Sequence, residues 1–310
     1  MKILIIDKMH ESIVPLLANI GCEGDYRPDL KRKEILAIIE NYQGLIVRSK
    51  TPIDKEFLQH VKHLKFVARA GAGIDNVDVE ALNVLGIILL NAPEGNRDAV
   101  AEHTMALLLN LFNKINLADT QIRQKTWDRE GNRGVELKGK IVGVLGYGYM
   151  GQAFAQRLSA FGCRVIVYDL VTIAKEKLAA NAVQVDFETF TKEVEILSIH
   201  INLNSNNNRL IDNTYLDQFK RLAYLINTSR GEVVVLADLV QFLDEGKIKG
   251  AALDVLENEK LSSFSKEENA LYERLFTLQQ VILSPHVAGW TFESYEKINS
   301  VLVEKIKKII

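Results

Sequence analysis

Gly146, Gly148 and Gly151 stand between an apolar run at residues 141–145 and an amphipathic helical pattern. A second apolar run, residues 165–168, ends on Asp169. Each part has a physical task in holding a dinucleotide. Gly146 lets a buried strand turn sharply, and Gly148 has no Cβ to keep the backbone away from a pyrophosphate. Gly151 lets the following helix pack close to the strand. N–H groups at the helix start then face the phosphates, with the helix dipole adding partial positive charge. Asp169 lies 23 positions beyond Gly146, where a carboxylate takes the two hydroxyls of an adenine ribose. With Leu170 rather than an arginine beside it, the pattern predicts NAD in preference to NADP.

The second half carries a further constellation. Arg230 follows a strand pattern at residues 224–226, Glu259 comes off the next strand end, and Ser284-Pro-His286 comes off the one after. Ligands of parallel sheets sit beyond the carboxyl ends of the strands, so the three residues are aimed at one crevice. Arginine, glutamate and histidine in that arrangement suit hydride transfer between a carbon and a cofactor. Arg230 can grip a carboxylate in bidentate fashion and polarise the adjacent carbonyl. His286 can give or take the proton on the oxygen, and Glu259 would orient the imidazole and favour its protonated form.

The elements that must position these groups alternate strand and helix patterns almost throughout, the signature of parallel sheets with helices on both faces. Strands are expected at residues 3–6, 45–47, 66–68 and 87–90, with helices near 11–19, 30–41, 54–61 and 77–85 between them. One long helix is expected at 98–125. A second strand series follows at 141–145, 165–168, 196–200, 224–226, 251–253 and 281–283. The segment 291–310 has helical spacing and is expected to return to the first domain. At 310 residues and 47% apolar content, the chain can bury two cores. Its 38 basic and 40 acidic residues leave a net charge of −2, which argues against general attraction to nucleic acid or an anionic membrane. Cys22 and Cys163 lie in unrelated segments, which predicts reduced thiols and a cytoplasmic setting. No apolar run is long enough to span a membrane, no metal-ligand cluster stands out, and the Asn204–Asn208 run is read as a solvated loop.

Seen together, these motifs resemble the D-isomer-specific 2-hydroxyacid dehydrogenases, and within them the 3-phosphoglycerate dehydrogenases. Val-Arg48-Ser-Lys-Thr, Ala-Arg69-Ala-Gly-Ala-Gly-Ile-Asp-Asn, Asn-Ala-Pro-Glu-Gly-Asn96, the glycine fingerprint, Asn-Thr-Ser-Arg230-Gly, Ala-Ala-Leu-Asp254-Val and Ser-Pro-His286 carry the resemblance over nearly the whole chain. It implies an α/β fold of two Rossmann-like, doubly wound parallel-sheet domains. The nucleotide domain, residues 98–287, is inserted in a flavodoxin-like substrate domain of residues 1–97 plus 288–310. It also implies that Arg230, Glu259 and His286 are catalytic and that Asp254 meets the nicotinamide amide. Further cofactor contacts are implied at Tyr149, Met150, His200, Ile201, Thr228, Ser229, Ala288 and Gly289.

Substrate choice is expected to rest on the first domain. Gly71-Ala72-Gly73 offers backbone N–H groups without side-chain obstruction, suited to a carboxylate. Arg48 and Arg69 each terminate a strand and can meet in the same cleft, and resemblance to the animal-type phosphoglycerate dehydrogenases makes both substrate-binding. Ser49 and Asn96 are expected to bind substrate with them. The resemblance also adds Arg129, which would reach in from the partner of a homodimer built around the long helix. The expected reaction is oxidation of 3-phosphoglycerate to 3-phosphohydroxypyruvate, the entry to serine synthesis, with no serine-binding regulatory domain in the chain. Glyoxylate or hydroxypyruvate reduction is the alternative acid chemistry, and an NAD-sensing corepressor is the alternative of another class. A formate dehydrogenase is disfavoured, since that branch resembles a glutamine–histidine pairing. Lys260 after Glu259, His200-Ile201-Asn-Leu, and Gly289-Trp290-Thr291 where smaller residues are usual all depart from the family pattern.

Overall fold

A computed structural model describes all 310 residues, which form two compact units. One comprises Met1–Asp98 with Trp290–Ile310, the other Ala99–Gly289. In the first, β1 (Lys2–Ile5), α1 (Ile13–Asn19), β2 (Glu23–Tyr26), α2 (Arg32–Ile38), β3 (Gly44–Val47), α3 (Lys55–Leu58), β4 (Phe66–Arg69), α4 (Val79–Val84) and β5 (Ile88–Asn91) alternate. The five strands run parallel in the order β2-β1-β3-β4-β5. α5 (Pro93–Asn113) then carries the chain into the second unit.

There follow α6 (Ile115–Arg123), β6 (Ile141–Leu145), α7 (Tyr149–Leu158), β7 (Arg164–Tyr168), β8 (Ala182–Gln184), α8 (Phe187–Glu193), β9 (Ile196–Ile199), α9 (Asn213–Leu216), β10 (Tyr224–Asn227), α10 (Leu236–Asp244), β11 (Gly250–Leu253), α11 (Lys266–Thr277) and β12 (Val281–Leu283). Seven parallel strands lie in the order β12-β11-β10-β9-β6-β7-β8. Finally α12 (Phe292–Lys307) packs on α1 and β5 within the first unit. No helix is long and apolar enough to cross a membrane.

Central strands such as β3 (GLIV), β9 (ILSI) and β11 (GAAL) are buried along their whole length, because helices cover both faces of a parallel sheet. In β1, Ile3 and Ile5 join one core with Leu17 and Leu302, while Leu4 joins the opposite core with Ile35 and Phe57. The second sheet likewise separates a cluster around Leu197, Tyr215 and Leu239 from one around Leu108, Val142 and Phe154. Cys22 and Cys163 are buried free thiols.

Two strands, β2 (EGDY) and β8 (AVQ), have no counterpart in the sequence expectations. Both are edge strands exposed in part, so neither needs an apolar run. The expected helix at 98–125 is corrected: it is two helices, broken at Lys114, whose φ of 52° is left-handed. There Asn110 Oδ1 accepts the N–H of Asn116 at 3.0 Å, and Lys114 Nζ donates to the Gly131 carbonyl at 2.7 Å. Side chains thus replace the helical bonds, a competition open to asparagine.

Where α12 meets α5, Gly95 lets the two backbones touch. A Cβ there would sit 2.7 Å from Ile298 Cα. Gly95→Ala should therefore lower stability in denaturant titration by about 2 kcal/mol, the usual scale of overpacking. An unchanged midpoint would show that α12 can shift freely.

Candidate active site

In each sheet the strand order reverses once, and ligands of such sheets bind at the carboxyl ends beside that reversal. In the second unit it lies between β6 and β9, which pair with Val142 opposite Ile196 and Leu145 opposite Ile199. Gly146 turns out of β6 with φ +88°, and a Cβ on it would sit 2.9 Å from the His200 carbonyl beyond β9. Gly148 precedes α7 with no side-chain cap, and a Cβ there would meet nothing within 4 Å. Gly151 is packed so closely on the Gly146 carbonyl that no side chain fits. An uncapped helix start beneath an open glycine turn fits a dinucleotide pyrophosphate. At the end of β7, Asp169 Oδ2 accepts the Tyr147 N–H at 2.7 Å and Oδ1 accepts that of Val171 at 3.0 Å. These bonds fix the carboxylate beside the turn, where it suits ribose hydroxyls and repels a 2′-phosphate.

His200 is only partly accessible, rests on the Phe154 ring at 5.2 Å, and pairs through Nε2 with Ser198 Oγ at 2.8 Å. Burial pulls its pKa down to about 3, so the ring is neutral. Ile201 leans its Cγ2 toward Gly146.

Arg230, Glu259 and His286 lie beyond β10, β11 and β12, three neighbours in the sheet. Glu259 places both oxygens at hydrogen-bond distance from His286 Nδ1, at 2.9 and 3.0 Å. Both side chains are about half exposed, and His286 Nε2 is left for another partner. The turn bearing Arg230 is shaped by Asn227, fully buried, whose Oδ1 accepts from the N–H and hydroxyl of Ser229. Its Nδ2 donates to the Arg230 carbonyl at 2.9 Å, and Arg230 Nη1 donates to the Ser229 carbonyl at 2.7 Å. Gly231 abuts the backbone of Leu256 and Glu257, which ties this turn to the strand end that leads to Glu259. Thr228 Oγ1 pairs with Thr104 Oγ1 at 3.0 Å.

Asp254 is buried, and its carboxylate organises the histidine turn. It accepts from Ser284 Oγ at 2.6 Å, Val287 N at 2.9 Å and Ala288 N at 2.8 Å. His286 itself has φ 54° and donates its N–H to the Asp254 carbonyl at 2.7 Å. His103 Nε2 lies 3.0 Å from Ser284 Oγ and 3.4 Å from Asp254 Oδ1. Burial pushes the Asp254 pKa up, but His103, Ser284 and the two backbone donors outweigh it and hold the group below its ordinary range. Asn227, His103 and Ser284 were not singled out from sequence as site residues. His103 reads there only as a polar break in an apolar helix.

In the first unit the reversal falls between β1 and β3. Arg48, just beyond β3, donates its backbone N–H to the buried Asp7 Oδ2 at 2.6 Å. After β4, the carbonyls of Gly71 and Ala72 accept from Ala92 N and Asn91 Nδ2, while no hydrogen bond occupies the N–H groups of residues 71–73. Gly71 has φ +137°, and the Arg69 guanidinium lies where its Cβ would be. The arginine head group therefore packs directly against the loop that carries these amides. Asn96 Oδ1 is buried without a hydrogen-bond partner, and Ser49 follows Arg48 at the same strand end. Arg129 is exposed in the turn after α6.

His200 also makes a stability prediction. The folded ring resists protonation until about pH 3, whereas the unfolded one protonates near its ordinary 6.5. The unfolded state then binds more protons, so stability falls as pH drops through that window, by about 2 kcal/mol between pH 6.5 and 5. Denaturant titrations of wild type and His200→Gln should show the wild type losing more on acidification; parallel losses would remove His200 from the account.

Comparison with known proteins bears directly on this arrangement. Residues 105–288 match the family model "D-isomer specific 2-hydroxyacid dehydrogenase, NAD binding domain". The chain is 34% identical over 311 residues to a D-3-phosphoglycerate dehydrogenase of Methanocaldococcus jannaschii, covering 100% of this chain and 57% of that protein. It thus spans just over half the length of that relative. It is 33% identical over 279 residues to a hydroxypyruvate reductase of Thermotoga maritima, covering 90% of this chain and 88% of the other. Among solved structures, the TT0316 protein of Thermus thermophilus superposes with a TM-score of 0.82 at 30% identity, covering 98% and 95% of the two chains. With the glycine turn, the uncapped helix and the histidine–glutamate pair in place, the chain belongs to the D-isomer-specific 2-hydroxyacid dehydrogenase family, and its second unit is that family's NAD-binding domain.

Proposed function

We propose that this chain is an NAD-dependent D-3-phosphoglycerate dehydrogenase, oxidising the C2 hydroxyl of 3-phosphoglycerate to give 3-phosphohydroxypyruvate for serine synthesis. The Glu259–His286 pair carries the reading of an acid–base step. With Nδ1 engaged by a carboxylate, the imidazole keeps Nε2 as the acceptor of the hydroxyl proton, and Glu259 faces the imidazolium that results. NAD, when bound, supplies the hydride acceptor; Gly146, Gly148, Gly151, Tyr149, Met150, Asp169, His200, Ile201, Thr228, Ser229, Asp254, Ala288 and Gly289 are the residues proposed to hold it. Arg230 grips the carboxylate and polarises the forming carbonyl. The amides of Gly71, Ala72 and Gly73, with Asn96 and Ser49, take substrate oxygens, and Arg48 and Arg69 take the phosphate. The similarity to phosphoglycerate dehydrogenases over the full chain supports this substrate. The hydroxypyruvate reductase relative, matched over most of both lengths, favours an unphosphorylated acid as the second reading.

Turnover of NADH with 3-phosphohydroxypyruvate, hydroxypyruvate, glyoxylate and pyruvate, compared side by side, separates the two. The proposal expects at least a tenfold kcat/KM preference for the phosphorylated acid; equal use would favour the second reading. His286→Ala should lower kcat by about 10²–10⁴-fold with NADH affinity little changed, the scale of a lost general base. Undiminished turnover would end the assignment.

We further propose a homodimer in which a second copy covers α5 and α6 and brings Arg129 to the substrate. Ile115, Ile122 and Trp127 are exposed there, at 54%, 52% and 79%. Size-exclusion with light scattering should give about twice the 34.9 kDa chain mass. A monomer with full activity would remove both the dimer and the role of Arg129.

A further inference from the structure

Trp290 has two neighbours that together give it more than a packing role. It precedes Thr291, the N-cap of α12, whose hydroxyl accepts the Ser294 N–H at 3.0 Å. Trp290 and Tyr295 are therefore the N′ and N4 positions of a hydrophobic staple, and their rings lie 5.5 Å apart. That contact explains why an apolar residue stands here. It does not explain why the residue is tryptophan, nor why the ring remains 60% exposed.

The guanidinium of Arg48 supplies the second contact. It lies 4.3 Å from the Trp290 ring centroid and 5.3 Å from that of Tyr295. Behind Tyr295, His10 packs edge-on at 5.8 Å. The Arg48 backbone is held as well, by Asp7 and by Asn76 Nδ2, which donates to its carbonyl at 3.0 Å. Its Nη1 reaches the Lys8 carbonyl only at a weak 3.4 Å. Arg48 is thus fixed at the strand-order reversal of the first sheet, where ligands of such sheets bind. Stacking covers the face of a guanidinium and leaves its in-plane N–H groups to acceptors. It also settles beforehand the side-chain entropy that a flexible arginine loses on binding, and it replaces part of the hydration an anion would have to strip away.

We propose that Trp290, with Tyr295, is a specificity-determining positioning residue: the two rings hold Arg48 so that its edge receives a tetrahedral oxyanion, the phosphate of the substrate. This rests on the reading that Arg48 binds substrate.

Trp290→Leu keeps an apolar staple but removes the π face; Trp290→Phe keeps both. In folded Trp290→Leu, checked by thermal melting, KM for 3-phosphohydroxypyruvate should rise about tenfold. The inhibition constant of inorganic phosphate against hydroxypyruvate should rise by a similar factor. Both kcat values and KM for hydroxypyruvate should stay within twofold, and Trp290→Phe should restore most of the loss. Equal KM rises for both acids, or none, would overturn the proposal while leaving the phosphoglycerate reading intact. If the wild type shows no preference for the phosphorylated acid, that reading falls instead. Phosphate inhibition then decides alone: inhibition that depends on Trp290 upholds the positioning role, and inhibition that is absent or indifferent to it overturns the role. Should Trp290→Leu not fold, Tyr295→Phe and Tyr295→Leu are compared instead, because the Tyr295 side chain also hydrogen-bonds Arg48. A loss with Leu that Phe does not share upholds the role, and equal effects of the two overturn it.

Discussion

One buried carboxylate governs the reactive end of the second unit. Asp254 gathers a hydroxyl and two backbone N–H groups from residues 284–288, and its own carbonyl holds His286 in a left-handed conformation. A non-glycine residue at positive φ costs energy, and it persists where the surroundings over-determine it. Here the surroundings are four hydrogen bonds to one residue. Each bond to a charged, desolvated acceptor is stronger than its neutral counterpart, and each would be costly to leave unmade. The charge on Asp254 is therefore structural as much as electrostatic. Without it the histidine loop loses its anchor, and the Glu259–His286 pair loses the fixed ring on which its geometry depends.

Polar side chains buried at strand ends perform this task three times. Asp7, after β1, receives the Arg48 backbone beyond β3; Asn227, the last residue of β10, closes the Arg230 turn; and Asp254, after β11, closes the His286 turn beyond β12. The helices contribute in a different way. They cover both faces of each sheet, which leaves the carboxyl ends as the edge where loops can carry polar groups without opening the core. Glycine enters where two backbones must touch, at Gly151 on Gly146 and at Gly231 on Leu256.

Much of this was legible in the chain because parallel-sheet strands must be apolar on both faces. Residues 141–145 and 281–283 coincide with β6 and β12, and the other expected strands differ by a residue at their ends. The same reasoning is blind to β2 and β8, whose polar sequences satisfy only one neighbour at a sheet edge. It also ran α5 into α6, since the break at Lys114 depends on Asn110 and Gly131, contacts that no periodicity encodes. Within the candidate site, the glycine spacing and the strand-end Arg, Glu and His were visible because each has a chemical reason to be that residue. His103 and Asn227 were not, since each acts through a partner distant in sequence: His103 through Ser284, and Asn227 by bending the turn that carries Arg230.

The same separation bears on how one scaffold serves several acids. The family match, residues 105–288, holds the glycine turn, Asp254 and the Arg230, Glu259 and His286 set. Arg48, Arg69, the Gly71–Gly73 amides, Trp290 and Tyr295 all lie outside it. The first set fits what every 2-hydroxy acid shares: a carboxylate, an adjacent hydroxyl and a hydrogen to be moved. What distinguishes one acid from another is the group at the next carbon, and a phosphate there demands localised positive charge that a chain of net charge −2 does not offer generally. A freely hydrated surface arginine gains little from such a contact, because water competes for both partners. An arginine already stacked, partly dehydrated and held by its backbone gains more. Burial does push the Arg48 pKa down, yet an arginine starts so far above neutrality that it keeps its charge. The aromatic pair at the start of α12 can therefore strengthen anion binding without costing the group its proton, which a lysine in the same place could not guarantee.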